Sequence, residues 1–197
     1  SSIDSAILFA GMLVADRYFA DEDVTRLVEA ILGGVDWMWM LTDGGERPGS
    51  VTFSHGWKPE TGFLPVRWGS YCEHMILYIL GLGSDARVPD GAWEGWDRPV
   101  VSVEGYHMLA GGPLFMHQLS HVFVDFRNRR DRLGYDYWVS SRNATLANRA
   151  YCAANPNGFA GYDDEVWGLS ASDHPEGYTS HGLPPWGDDN GTLAPSS

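Results

Sequence analysis

The sequence predicts an all-α protein built from two layers of helices, with long loops gathered at one end. Three observations predict it. Five segments carry apolar residues at helical spacing. The first is apolar on every side and the second has a single apolar stripe, the contrast between an inner and an outer helix. Between and after them run stretches of Gly, Pro, Asp and aromatic residues with little periodicity, and structureless runs of that length are usually functional.

Each element follows from its residues. In 2–19, Ile3, Ala6, Ile7, Ala10, Gly11, Val14 and Tyr18 recur at helical spacing, and Leu8, Phe9, Met12 and Leu13 make the other face apolar too. A buried helix is expected there, with Ser2 as N-cap and Asp4 in the first turn, where a negative charge suits the helix dipole. The second helix starts at the N-cap candidate Asp21, carries the stripe Val24, Leu27, Val28, Ile31, Leu32 and Val35, and ends at Gly33-Gly34. Residues 37–66 change character. WMWM at 37–40 and VTFSHGW at 51–57 read as strands around the turn GGERPG, so a β-hairpin or irregular insertion is expected. Helical spacing returns over 70–82, 113–130 and 135–154, and Asn155-Pro156 stops the last of these. Residues 84–112 and everything beyond 157 read as loop.

Composition narrows the function. The chain has 197 residues, of which 44% are hydrophobic and 20% charged, enough for one domain with a real core. Its net charge of −13 repels phosphate backbones and anionic lipid, which excludes nucleic acid and a membrane surface as partners. No stretch approaches the roughly 18 uninterrupted apolar residues of a membrane span, and no basic-then-apolar leader pattern is visible. Nine Trp, nine Tyr and eight Phe exceed what a core of this size needs. Trp57, Trp68, Trp93, Trp96, Trp167 and Trp186 sit beside Gly, Pro or polar residues, which suits ligands with an apolar face and a polar rim, sugars above all. The plainer alternative is that these rings fill gaps under loops. Cys72 and Cys152 are a bridge or two thiols, and no CxxC spacing exists.

Glu73 is the most informative residue. It stands in YCEHMILYIL, where only it and His74 are chargeable. Burial there disfavours the charged form and raises the pKa, as a general acid requires; the alternative is a Glu paired with an Arg of another helix. Asp4 is the first acid of an otherwise apolar helix, with a first-turn dipole role as its alternative. His117 and His121 stand four apart in HQLSH, the spacing of a zinc protease. The general-base Glu of that motif is Gln118 here and no third ligand follows, so no metal is expected. Asp125, Arg127, Arg129, Arg130 and Asp131 alternate in sign, the pattern of a salt-bridge network. Asn143 and Asn190 open sequons. No phosphate-binding glycine loop, dinucleotide fingerprint or nucleophile elbow is present.

Several stretches together resemble the bacterial glycoamylase-like family, which includes endo-β-1,2-glucanases. They are SSIDSAILFAG at 1–11, VDWMWML at 35–41, GWKPETGF at 56–63, WGSYCEHMILYILGLGS at 68–84, GGPLFMHQLSHVFVDFRNRRD at 111–131, NATLANRAYCAANP at 143–156 and VWGLSASDHPEGY at 166–178. The resemblance implies a portion of an (α/α)6 barrel, a single domain over 1–197 incomplete at both ends, and a secreted or periplasmic bacterial glycosidase. It implies inverting hydrolysis of a glucan without metal or organic cofactor. Glu73 falls on the family's essential acidic residue in Tyr71-Cys72-Glu73-His74-Met75, with Cys72 where Asn is more usual. Asp4 matches the acid of the Ser-x-x-Asp motif, and His117, His121, Asp125 and Trp167 match pocket-lining positions.

On this reading Glu73 and Asp4 are the catalytic candidates. The substrate-binding candidates are Glu60, Trp57, Trp68, Tyr71, His117, His121, Asp125, Trp167 and Asp173, and Asp4, Glu60 and Asp173 all remain open as the base. The substrate is an oligo- or polysaccharide, and self-association through exposed apolar helix faces is expected of so apolar a first helix. The competing functions are a non-catalytic sugar-binding domain, a metal hydrolase on His117 and His121, and a terpene-cyclase-like barrel, for which Asp188-Asp189-Asn190 is a poor acidic cluster.

Overall fold

The computed structural model describes residues 1–175, 177–180, 182, 184, 186 and 187. The Asn190 sequon and the Asp188-Asp189-Asn190 run lie outside the described residues. The chain forms two compact units, unit 1 from residues 1–69 and 74–97 and unit 2 from residues 70–73 and 98–197. Helices dominate, but among the described residues three two-stranded antiparallel hairpins accompany them, so the all-α expectation is corrected to a helical protein with small sheets.

Unit 1 is built on α1 (Ser2–Phe19), which packs against α2 (Glu22–Gly33) and α4 (Met75–Gly83). Asp21 caps α2 as expected, accepting from the backbone N–H groups of Asp23 and Val24. The first helix is not buried all round. Ile3, Ala6 and Ala10 face the core, while Leu8, Val14, Tyr18 and Phe19 are exposed. Ser2 does not cap. It is the first helical residue, and its buried hydroxyl donates to the Ser54 carbonyl at 2.7 Å and accepts from Trp68 Nε1 at 2.8 Å.

The expected insertion is real, with different contents. WMWM is the start of helix α3 (Trp37–Thr42), because Asp36 accepts the Trp39 N–H at 2.8 Å and caps it. The hairpin comes later, as β1 (Trp57–Lys58) against β2 (Gly62–Phe63). Arg67 knits the loop together. Its guanidinium donates to Asp43 Oδ1 and the Leu41 carbonyl at 2.6 Å each, to Ser50 Oγ at 2.9 Å and to the Thr52 carbonyl. Above it, Phe53 meets Trp37 and Tyr78 edge-on at 6.3 and 5.0 Å. Short helix α5 (Gly91–Glu94) closes unit 1 by bringing Gly95 against Val51.

In unit 2, β3 (Val100–Val103) and β4 (Tyr106–Leu109) turn through Glu104 and Gly105, both at positive φ, the geometry of a two-residue hairpin loop. Residues 84–112 are therefore not structureless. This hairpin docks on α7 (Tyr137–Ala154), where Met108 packs with Ala144 and Ala147. Ser140 Oγ accepts the Leu109 N–H at 3.0 Å, and the amide of Asn143, the described sequon residue, donates to the His107 carbonyl at 2.8 Å. The helix expected over 113–130 is short: α6 (Leu114–Gln118), then one 3-10 turn, Leu119–Val122. Beyond it the Asp125 carboxylate accepts the Arg127 N–H, a local side-chain bond that favours a turn over a helix. Strands β5 (Ala171–His174) and β6 (Gly177–Ser180) form the third hairpin, in a stretch expected to be loop.

A Cβ on Gly95 would lie 2.6 Å from Val51 Cγ2 and 2.9 Å from the Val51 carbonyl oxygen. Gly95→Ala is expected to cost about 1–3 kcal/mol by overpacking, read as a lower midpoint in urea with an unchanged slope.

Candidate active site

The helix expected over 70–82 begins only at Met75. Tyr71, Cys72, Glu73 and His74 form an irregular turn ahead of it. Glu73 is therefore not on a helix face. Its backbone carbonyl accepts a hydrogen bond from Ser120 Oγ at 2.9 Å, reaching across 47 residues of sequence. Tyr71, two residues earlier, is buried. Its ring lies 5.3 Å from that of His117 and is stacked on Tyr137 at 6.4 Å. Gly111 presses on the same ring: a Cβ there would stand 2.9 Å from Tyr71 Cδ1. Burial holds the Tyr71 phenol protonated far above its ordinary range, with the neighbouring Cys72 adding to it.

Tyr137 is itself tied down. Arg98 Nε donates to its hydroxyl at 2.8 Å, and the hydroxyl donates to Asp131 Oδ2 at 2.6 Å. Burial again pushes this phenol up.

A cavity of about 330 Å³ lies beside the turn after α6, lined by His121, the 122–127 segment and Trp138. His121 packs against Phe126 at 4.7 Å and Trp138 at 5.9 Å. Both its ring nitrogens are closed to solvent without a hydrogen-bond partner among the described residues. Burial lowers its pKa from 6.5 against the opposing pull of Asp125, so the ring is neutral and offers one donor and one acceptor. At the rim Arg127 donates from Nε and Nη2 to Asp125, at 2.8 Å each, which holds that exposed carboxyl at about 2. The Arg127 guanidinium also sits 6.0 Å above the Trp138 ring.

The third hairpin contributes Asp173 on β5, directly opposite Tyr178 on β6. Tyr178 is exposed, yet its pKa is raised, first by desolvation and then by the charges of Glu73 and Asp173. Two carboxylates thus act on one phenol.

Of the expected site residues, Tyr71, Glu73, His117, His121, Asp125, Trp167 and Asp173 fall in unit 2, and Asp4, Trp57, Glu60 and Trp68 in unit 1. Trp167 packs on the Cys152–Tyr162–Leu169 cluster. Asp4, Glu60 and Trp57 are exposed, and Trp68 is buried with its ring stacked 3.7 Å from His55. Cys72 and Cys152 form no bridge. Among the described residues no three His, Cys, Asp or Glu side chains converge as metal ligands. Ser120, Trp138, Arg127 and Tyr178 were not expected in the site. Ser120 has no local signal, because its partner is remote in sequence. Tyr178 would have followed from the register of β5 and β6.

The "Glycoamylase" family model, described as "Putative glucoamylase", matches residues 65–197. The chain belongs to the glycoamylase family. An exo beta-1,2-glucooligosaccharide sophorohydrolase of Parabacteroides distasonis is similar to it, 24% identical over 231 residues, covering 98% of this chain and 31% of that protein. An endo-beta-1,2-glucanase of Chitinophaga pinensis, solved with sophorotriose and glucose, matches with TM-score 0.81 and 26% identity over 96% of this chain and 49% of that one. A beta-1,2-glucanase of P. distasonis shares the fold at TM-score 0.81 and 21% identity, over 92% of this chain and 30% of that one. The glycoamylase chain described here therefore spans less than half the length of these relatives. No described helix is long and apolar enough to cross a membrane.

Two titrations test the geometry. Glu73→Gln removes a negative charge near Tyr178, so the Tyr178 phenol should ionise at lower pH, read by NMR of ring-labelled tyrosine. His121 has a folded pKa below its unfolded 6.5, so the unfolded chain takes up the proton first as pH falls. Its contribution is intact above pH 6.5 and is lost below it. His121→Gln should flatten the fall in denaturant midpoint between neutral and mildly acidic pH.

Proposed function

We propose that this chain hydrolyses a glucan, with β-1,2-glucan as substrate, by inversion, and that Glu73 is the general acid. The observation that carries the reading is the Glu73 turn, held by Ser120 on its carbonyl in the same unit that holds Asp173, in a family whose similar members are β-1,2-glucan hydrolases. Inversion needs an acid and a base carboxylate roughly 6.5–9.5 Å apart, with room for water between. Glu73 gives its proton to the departing glycosidic oxygen. Asp173 takes a proton from the water that attacks the anomeric carbon on the opposite face. Asp4 and Glu60 belong to unit 1, and Asp173 is preferred because it shares unit 2 with the acid. The neutral His121 and the Asp125–Arg127 pair supply donors and acceptors for sugar hydroxyls, with the half-exposed Trp138 as an apolar face. The helices read as part of an (α/α)6 barrel, and the site of action as the periplasm or the medium.

A second reading has a specific observation behind it. The His121 cavity, with the half-exposed Trp138 and the Asp125–Arg127 pair at its rim, would serve equally a sugar-binding module that lacks turnover. Incubation with β-1,2-glucan and a panel of other α- and β-glucans, with chromatography of products, separates the two. The hydrolase reading expects shortened β-1,2-glucooligosaccharides from the parent protein. Glu73→Gln should then lose roughly 10²–10⁴-fold in rate, the contribution of general-acid catalysis, while retaining binding. A Glu73→Gln protein of near parental rate would remove Glu73 from the mechanism.

A further inference from the structure

Three aromatic rings of unit 1 form a shelf that the reaction described above does not use. Trp57 on β1 pairs in register with Phe63 on β2, which puts both side chains on one face of the hairpin. Trp39 of α3 lies against both, with ring centroids 4.5 Å from Phe63 and 5.7 Å from Trp57. Both contacts are tilted, at 54° to Phe63 and 59° to Trp57, so Trp39 backs the Trp57 indole without stacking over it. Trp57 is 43% exposed and Trp39 39%. Gly44, at positive φ, stands beside Trp39, and a Cβ there would come to 3.3 Å from its Nε1. The glycine thus leaves the indole N–H edge clear. No hydrogen bond to a described residue occupies either indole N–H.

A hairpin of two-residue strands is too short to hold itself by its ladder, so some aromatic stapling is structural. Stapling accounts for Trp39 and Phe63, which meet closely. It does not account for a third, large ring left open on the outside, with a polar hairpin around it. An exposed flat apolar face beside indole donors is the pattern that binds the C–H face of a pyranose while its hydroxyls stay hydrogen-bonded. We propose that Trp57, backed by Trp39 and Phe63, is a stacking platform for one glucose unit of a glucan chain. The proposal rests on the glucan reading and extends it to a subsite in unit 1.

The test is titration of the full chain with sophorotriose and longer β-1,2-glucooligosaccharides by calorimetry, alongside Trp57→Ala and Trp57→Phe. The expected result is binding by the parent at least about tenfold tighter than by Trp57→Ala, equivalent to about 1.4 kcal/mol, with most of it restored by Trp57→Phe and all three proteins equally folded by circular dichroism. Equal binding by parent and Trp57→Ala overturns the platform and leaves the glucan reading standing. A parent that binds no glucooligosaccharide overturns both. If Trp57→Ala unfolds, Trp57→Phe and Trp57→Leu decide. Loss with Leu but not Phe supports stacking, and equal binding by Leu and Phe overturns it.

Discussion

The buried ring of Tyr71 is the constraint on which the candidate site depends. Glu73 stands on a turn, and a turn has no i→i−4 ladder to aim its side chains. The turn is held instead by what surrounds it in unit 2: Tyr71 between His117 and Tyr137, Gly111 close against the ring, and Ser120 on the Glu73 carbonyl. A phenol packed this way cannot rotate without displacing three neighbours, and interiors at close-packed density transmit such shifts. Position 111 admits no side chain for the same reason.

The second support is polar. Arg98, Tyr137 and Asp131 form a chain of hydrogen bonds behind Tyr71, with Arg98 and Asp131 both nearly closed to solvent. A buried ion pair is weak evidence of stability, because desolvation offsets the attraction. Its value here is directional. The Tyr137 hydroxyl is saturated on both sides, so its ring has one orientation, and Tyr71 stacks on that ring. Asp131 also accepts the N–H groups of Leu133 and Tyr135, which fixes the approach to α7.

Two of the helices with a capping acid were legible in the sequence. Asp21 for α2 and the run into α7 read correctly because local hydrogen bonds and local periodicity agree there. Three kinds of feature did not read. Asp36 turned an apolar WMWM run into a helix that looks like a strand, since four hydrophobic residues carry no period of their own. The three hairpins were missed or misplaced because their strands are two to four residues long, too short for alternation to register. The turn at Glu73 was absorbed into the helix after it, because Tyr71 and Cys72 are compatible with helical spacing and only Ser120 and Gly111, distant in sequence, reveal otherwise. The chemistry of the site was more legible than its geometry. A carboxylate in an apolar run marks Glu73 at once, whereas its relation to Asp173 and Tyr178 depends on the register of a hairpin.

The division of labour between helices and hairpins follows from the same physics. α1, α2, α4 and α7 bury regular faces and supply rigidity, and their exposed residues are largely ordinary. The first and third hairpins are small and carry part of the candidate machinery, while Glu73, His121 and Asp125 stand on or beside turns. β1–β2 holds Trp57, and β5–β6 holds Asp173 beside Tyr178. A short antiparallel ladder suits this task, because opposite residues on one face stand close together and at a fixed register. It also accounts for part of the aromatic excess. In unit 1, Trp37, Phe53, Trp68, Tyr78 and Trp96 are buried, and that is a full core for a unit of this size. Of the remaining rings of unit 1, Trp39, Trp57 and Phe63 lie on or against the first hairpin, while Tyr18 and Phe19 are exposed at the end of α1 and Trp93 lies on α5. The hairpin indoles among the surplus stand where a flat apolar face in contact with water has a use.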